Sequence, residues 1–220
     1  MKKLLFALSI IMCASLSGFS QALKPVTIDD QVSVSLPSDF TKQDTLGQQI
    51  YNGNAEFGYI TVIHAPNPAN THVLKKENDL NTVFKEYVDK VLKSSGSGTI
   101  NNDRDTVINN NLKARTFMLE TDDDNGHNYR QFLVVYTTPA TYTFEYLYPD
   151  GRQDNARAEI KKFFSSVKFA ADVNRADQYI SSGGSSVFSS GLFYGVAGGI
   201  LVILIIVLIT VRNRDRVYPS

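Results

Sequence analysis

The C-terminal part of the chain contains a run of 21 residues, 191–211, without a charged side chain. At a rise of about 1.5 Å per residue, an α-helix of this length spans about 31 Å, which matches the hydrocarbon core of a bilayer. A helix of that length buried in a protein core keeps a polar face, and this run has none. The sequence therefore predicts one transmembrane helix over residues 191–211.

The charges on either side of this run predict its orientation. Residues 176–190 contain no lysine or arginine, whereas Arg212, Arg214 and Arg216 follow the run directly. Positively charged residues favour the cytoplasmic side of a membrane. We therefore predict that residues 212–220 form a cytoplasmic tail and that the folded part of the chain lies outside.

The N-terminus has the pattern of a signal peptide. Lys2 and Lys3 precede about 13 apolar residues, which are too few to cross a bilayer. Ser20 and Ala22 fit the small residues that signal peptidase requires, so we expect residues 1–22 to be removed. An uncleaved signal anchor and a lipoprotein attached through Cys13 are the alternatives. A signal peptide of this kind suggests a bacterium and hence a periplasmic location.

The composition excludes several kinds of function. Cys13 is the only cysteine, so the mature chain would have no disulfide framework, thiol nucleophile or cysteine-ligated metal. The part predicted to be exported carries 17 basic and 21 acidic residues, whereas nucleic-acid binding needs a basic surface. The sequence also contains no glycine-rich phosphate loop, dinucleotide fingerprint or serine nucleophile elbow. We therefore expect no nucleic acid, no cofactor and no catalytic residues.

Between the signal peptide and the transmembrane run, the sequence predicts one domain and a tether. Residues 181–186 read Ser-Ser-Gly-Gly-Ser-Ser, a composition that cannot bury enough apolar surface to fold. We assign residues 23–169 to the exported domain and residues 170–190 to a flexible tether.

Apolar periodicity predicts the elements of the domain. Alternating or aromatic segments predict strands at residues 32–36, 57–64, 106–108, 112–120, 129–137 and 142–148. Apolar residues at spacings of three and four predict helices at about residues 79–93 and 154–166. Strands joined by short turns form an antiparallel sheet, which two amphipathic helices can cover. The predicted fold class is therefore α+β, an antiparallel sheet covered by two helices, followed by the transmembrane helix.

The predicted domain resembles the PsbP-like family of α/β sandwiches. An opening strand ends in Leu36-Pro37 with Phe40 just after, and a long helix precedes an antiparallel meander. The domain closes with an aromatic strand, a helix and the run Phe-Phe-Ser-Ser-Val-Lys-Phe at residues 163–169. The resemblance covers roughly residues 28–169 and implies a binding or assembly module rather than an enzyme. The family includes photosystem extrinsic subunits and a Ran-binding transport factor, and its pattern has no transmembrane tail. No functional residue of the family can be placed on this chain.

The acidic loop at residues 121–126 is a candidate calcium site. The EF-hand pattern requires acidic ligands at positions that Thr121 and Phe132 occupy here, so a solvated hairpin tip is the favoured interpretation. His64, His72 and His127 do not have the spacing of a zinc site, and no metal is expected.

Asp103 and Asp105 flank Arg104 beside a glycine-rich loop. A pair of carboxylates can perform acid–base chemistry when a pocket holds them about 5–9 Å apart. An exposed turn in which these charges pair locally is the favoured interpretation.

Aromatic residues alternate along the last two predicted strands. Tyr142, Phe144, Tyr146 and Tyr148 share one face of their strand, and residues 132, 134 and 136 share one face of its neighbour. We expect these two rows to lie in register on the same face of the sheet. Tyr142, Phe144 and Tyr146 are a candidate partner surface; the alternative, which we favour, is the sheet face under the helices.

Gly191, Gly195 and Gly199 repeat at every fourth residue of the predicted transmembrane helix. Small residues on one helix face let a second helix approach closely. The sequence therefore predicts that this helix packs against a copy of itself or against a partner protein in the bilayer.

These observations favour a membrane-tethered, extracytoplasmic binding or assembly module without catalysis. A ligand-binding sensor, or an enzyme whose active site has no recognisable motif, are the alternatives. An enzyme would require a cleft containing carboxylates or histidines with strongly displaced pKa values.

Overall fold

The computed structural model describes residues 23–69, 71–123 and 126–180. The predicted signal peptide, the transmembrane helix, the cytoplasmic tail and the Ser/Gly run of the tether lie outside these residues. Within the described residues, no helix combines the length and the apolar character needed to cross a membrane.

The described residues form ten β-strands and two α-helices, and the predicted α+β class is confirmed. The strands are β1 (Lys24–Thr27), β2 (Val32–Leu36), β3 (Thr41–Thr45), β4 (Gln48–Asn54), β5 (Tyr59–Pro66), β6 (Thr99–Ile108), β7 (Leu112–Asp123), β8 (Gly126–Tyr136), β9 (Ala140–Pro149) and β10 (Lys168–Phe169). The helices are α1 (Glu77–Ser95) and α2 (Gln153–Ser165). Short 3₁₀ turns occupy Asn109–Asn111, Asp150–Arg152 and Arg175–Asp177.

The strands form two antiparallel sheets rather than the single sheet expected. Seven strands form the main sheet in the order β3-β4-β5-β9-β8-β7-β6, and β1, β2 and β10 form a smaller sheet. Helix α1 packs on one face of the main sheet, where Phe84 lies in a core with Phe132. Helix α2 and the small sheet pack on the other face, where Phe163 and Val34 lie in a core with Phe144. We call these two surfaces the α1 face and the α2 face.

Two turns differ in whether the local sequence predicts them. The predicted turn between β6 and β7 is present, and Asn111 has a φ of 63°, a left-handed conformation that asparagine tolerates. The β3–β4 hairpin was not predicted. Its two-residue turn has φ values of 53° at Leu46 and 77° at Gly47, as a type I′ turn requires. Leucine at the first of these positions is not the asparagine or aspartate that usually marks such a turn, and the exposed residues of β3 do not alternate.

The expected register of the aromatic rows is wrong. Phe132 lies opposite Glu145, and Leu133 lies opposite Phe144. The row containing Phe132 therefore occupies the α1 face, and the row containing Phe144 occupies the α2 face. A shift of one residue moves every side chain to the other face, and alternation within each strand does not specify that shift.

The domain also extends beyond Phe169, where the tether was expected to begin. The side chain of Gln178 is fully buried, and its Nε2 donates to the carbonyl oxygens of Lys113 at 2.8 Å and Tyr136 at 2.9 Å. The backbone N–H of Ile180 donates to the carbonyl of Leu74 at 3.0 Å. Residues 170–180 are thus part of the folded domain, because Gln178 satisfies backbone groups at the end of the main sheet.

Candidate functional site

The residues predicted as a partner surface lie inside the protein. Tyr142, Phe144 and Tyr146 are 1%, 0% and 0% exposed, within the core between the main sheet and α2. The hydroxyl of Tyr142 donates to Asp29, and that of Tyr146 donates to Glu159. The partner-surface interpretation is therefore corrected: these residues form the sheet face under the second layer, because α2 and the small sheet pack over their strand.

The glycines predicted to support helix–helix packing, Gly191, Gly195 and Gly199, lie outside the described residues. Their role remains a prediction from the sequence.

The acidic loop lies at the end of the β7–β8 hairpin, as predicted. His127 lies opposite Asp122 in the strand register, and its Nδ1 is 2.7 Å from the Oδ1 of Asp122. This hydrogen bond raises the pKa of His127. Within the described ranges, no group of three or more histidine, cysteine, aspartate or glutamate side chains is placed to hold a metal ion. Residues 124 and 125 of the loop lie outside those ranges.

Asp103 and Asp105 pair with Arg115, not with Arg104. Both nitrogens of one edge of the Arg115 guanidinium donate to Asp103, at 2.5 and 2.6 Å, and Nη1 donates to Asp105 at 2.7 Å. Burial opposes the charge on Asp105, yet the hydrogen bond from Arg115 and the nearby Lys113 hold its pKa below the usual value. These residues lie in β6 and β7 rather than in a turn, and both carboxylates are occupied by a cation.

His64 belongs to a polar cluster beside the β1–β2 turn. Its Nε2 lies 3.3 Å from Asp29 Oδ2, which also accepts the hydroxyl of Tyr142 at 2.7 Å. The other carboxylate oxygen of Asp29 accepts the backbone N–H of Val32 at 2.8 Å. Burial lowers the pKa of His64 by more than Asp29 raises it. The cluster therefore holds the β1–β2 turn against the main sheet, and burial favours the neutral form of its histidine.

A buried ion pair lies beneath α1. Arg130 Nη1 is 3.5 Å from Glu145 Oε1, and each side chain is 5% exposed. Among the described residues, Arg130 Nε and Glu145 Oε1 have no hydrogen-bond partner. Burial raises the pKa of Glu145 against the lowering effect of Arg130. The hydroxyls of Tyr87 and Thr143, 2.7 Å apart, lie on the same face and extend this polar region of the core.

An open groove lies on the α2 face, where strands β6–β8 extend beyond the side of α2. Its volume is about 460 Å³, within the range of about 300–1,000 Å³ that is typical of ligand sites. Its lining comes from four elements and includes Asn102, Arg104, Thr116, Met118, Gln131 and Phe164. This groove is the candidate functional site.

A β-bulge shapes the β6 wall of the groove. The pairing of β6 with β7 shifts between Asn101 and Arg104, and Asn102 has a φ of 54°. A bulge adds one residue to a strand and changes the direction of the side chains around it. Here it brings the side chains of Asn102 and Arg104 to the groove.

The opposite wall and the floor of the groove are fixed by the core. The ring of Phe164 packs 5.0 Å from that of Phe163, which is fully buried. On the floor, Met118 lies opposite Gln131 in the strand register, and Gln131 Nε2 donates to the hydroxyl of Tyr148 at 3.3 Å. The groove therefore combines a fixed apolar surface with uncharged hydrogen-bonding groups and the guanidinium of Arg104.

The sequence offered only a weak indication of this site. The sequence predicts Phe164 on the apolar side of the second helix and places Arg104 between two aspartates, but it predicts a groove at neither residue. Met118 and Gln131 belong to the β7–β8 hairpin and have no motif around them. The groove forms because α2 leaves part of its sheet face uncovered, which depends on packing and not on a local pattern.

Comparison with solved structures shows a likeness of fold. The chain aligns with cyanobacterial PsbP (CyanoP) from Synechocystis sp. PCC 6803 at 16% identity and a TM-score of 0.48, covering 70% of this chain and 96% of that chain. The Ran-binding protein Mog1p of Saccharomyces cerevisiae aligns at 10% identity and a TM-score of 0.42, with 67% and 95% covered. A Pseudomonas aeruginosa protein of unknown function aligns at 8% identity and a TM-score of 0.40, with 66% and 94% covered. No family model and no curated protein matches the sequence. The solved structures that align with this chain thus include a PsbP protein, as the resemblance of the sequence pattern predicted.

Proposed function

We propose that this chain is a non-catalytic binding module that holds a partner protein in the groove on the α2 face. The observation that carries this proposal is the chemistry of the lining. Arg104 is the one ionisable side chain among the described residues that line the groove, and a guanidinium does not exchange protons near neutral pH. Glu145 and Tyr87, whose pKa values burial raises, lie in the α1-face core and not in the groove.

We further propose that the module is displayed outside a membrane by the C-terminal segment. The uncharged run at residues 191–211 and the arginines that follow it support this arrangement. The described part of the domain extends to Ile180, and ten residues, 181–190, lie between it and the uncharged run. The groove would then be accessible to a partner protein on the outer side of the membrane.

Site-specific photocrosslinking in cells tests the binding role. A photoreactive residue replaces Thr116 or Gln131 in the groove of the full chain, and the matched control replaces Lys85, which is exposed on α1. We expect both groove positions to crosslink the same discrete protein, and the control position not to. Equal crosslinking from Lys85, or none from either groove position, would contradict the proposed role of the groove.

Thiol labelling of intact cells tests the topology. A chain carrying Ser185→Cys should react with a membrane-impermeant reagent, whereas one carrying Ser220→Cys should react only after the cells are lysed. Labelling of intact cells at Ser220→Cys alone would reverse the proposed orientation.

A further inference from the structure

Arg104 has no ion-pair partner among the described residues, although two aspartates flank it in sequence. Successive side chains of a strand point to opposite faces, so Asp103 and Asp105 lie on the α1 face while Arg104 reaches the α2 face. Both aspartates are held by Arg115. Among the described residues, none forms an ion pair with the guanidinium of Arg104, and no acidic side chain lines the groove. A carboxylate from outside the domain can therefore pair with it.

The remaining lining fits a short stretch of extended chain. Asn102, Thr116 and Gln131 carry uncharged donors and acceptors, which match the N–H and C=O groups of a peptide backbone. Met118 and Phe164 are partly exposed, and together they offer a surface for one apolar side chain. The lining of the groove therefore fits a ligand that carries one carboxylate and one apolar side chain close together on a hydrogen-bonding backbone.

The single positive charge of the groove favours an acidic peptide as the partner over a nucleic acid or an anionic membrane surface. Nucleic acids and anionic membrane surfaces are polyanions, and proteins that bind them present several lysines or arginines together. The groove presents one guanidinium, and the part of the chain predicted to be exported is acidic, with 17 basic and 21 acidic residues. One cation matches one carboxylate, and a guanidinium binds a carboxylate through two parallel hydrogen bonds.

We infer that the groove recognises an extended segment of a partner protein in which an acidic residue lies next to a large apolar residue. The carboxylate pairs with Arg104, and the apolar side chain packs between Met118 and Phe164. This inference rests on the proposed binding function and names the chemistry of the partner segment.

Defined peptides test the inference on the purified full-length chain. The probes are two pools of N-acetylated, C-amidated hexapeptides with Leu-Glu or Leu-Gln at the centre and all other positions randomised. Binding is measured by fluorescence anisotropy for the unaltered chain and for Arg104→Gln, with Arg152→Gln, an exposed arginine outside the groove, as the matched control. The Leu-Glu pool should bind about tenfold more tightly than the Leu-Gln pool, since a hydrogen bond to a charged group contributes about that factor.

Arg104→Gln should abolish this tenfold preference, and Arg152→Gln should retain it. A preference that persists in Arg104→Gln, or equal binding of the two pools, would overturn the acidic-segment inference while leaving the groove as a binding site. If neither pool binds and Thr116 and Gln131 also fail to crosslink a protein, the proposed function fails together with the inference. If neither pool binds but those positions do crosslink a discrete protein, only the inference is overturned.

Discussion

Replacing Glu145 by leucine should destabilise the domain strongly, because it leaves the charge of Arg130 buried without a counterion. The guanidinium and the carboxylate are 3.5 Å apart, and each side chain is 5% exposed. Arg130 Nε has no hydrogen-bond partner among the described residues, so no neighbour is in place to compensate for the lost carboxylate.

The expected loss of stability follows from the burial of the pair. Removing one partner of a buried ion pair costs about 3–5 kcal/mol, whereas replacing both by apolar residues of similar size is neutral or stabilising. For a domain of about 150 residues, each kcal/mol shifts the Tm by about 2–4 °C, so Glu145→Leu should lower the Tm by about 10 °C. The double variant Arg130→Met/Glu145→Leu should recover most of this loss. The incomplete hydrogen bonding of the native pair favours that recovery.

A double-mutant cycle measures this coupling. The chain contains 11 tyrosines and no tryptophan, so near-ultraviolet circular dichroism of tyrosine reports the unfolding of both cores. Urea unfolding of the two single variants and the double variant gives the interaction energy. The control is Asp154→Ala, which removes an ion pair with Arg157 whose side chains are 93% and 78% exposed, and it should leave the Tm unchanged. A loss below about 1 kcal/mol for Glu145→Leu, or a double variant less stable than both single variants, would refute the reasoning.

Four further outcomes are expected. Gly58→Ala should cost about 1–3 kcal/mol in urea unfolding, because the added Cβ would collide with a backbone oxygen and a tyrosine ring of β9, whereas Gly151→Ala has open space and should be neutral. Gln178→Ala should cost about 2–4 kcal/mol in the same assay, since it removes three hydrogen bonds to buried and partly buried backbone groups of Lys113 and Tyr136. A wild-type midpoint would show that residues 170–180 do not stabilise the domain. Because burial lowers the pKa of His64 below 6.5, the stability that its neutral form provides is present above pH 6.5 and is lost as the pH falls through the folded-state pKa. His64→Gln should flatten the Tm–pH curve in this range. An unchanged slope would show that other groups cause the pH dependence. Gly195→Leu should weaken self-association or partner association in a membrane dimerisation assay, and unchanged association would remove the predicted glycine face.

Local patterns predicted most of the secondary structure because they depend on neighbours a few residues apart. Spacings of three and four identified α1, and Gly96, with a φ of 75°, ends it as expected. Strand β6 was predicted only at its last three residues, since residues 99–105 are mostly polar and show no alternation. Strand β3 was missed for the same reason: it is an edge strand that is exposed on both faces, so burial leaves no alternation in its sequence.

The candidate site was less predictable than the fold. The sequence identified Asp103 and Asp105 as neighbours of Arg104, and only the structure showed that Arg115 takes both carboxylates and leaves Arg104 in the groove. The aromatic residues of β9 were a candidate surface, but their strand lies between β5 and β8 and is covered on both faces. Whether a strand is exposed depends on the elements that pack over it, and the sequence of the strand does not specify those elements.

By itself, the sequence determined the α+β class, the positions of both helices and most strands, and the predictions of a signal peptide and a membrane anchor. Each of these follows from short-range physics: the period of a helix or strand, the conformations that asparagine and glycine allow, or the length of an uncharged run. The tertiary structure alone decided the register of β8 on β9, the division into two sheets, the packing of residues 170–180 and the uncovered groove beside α2. These depend on contacts between residues far apart in the chain, where a shift of one residue exchanges the buried and exposed faces of a strand.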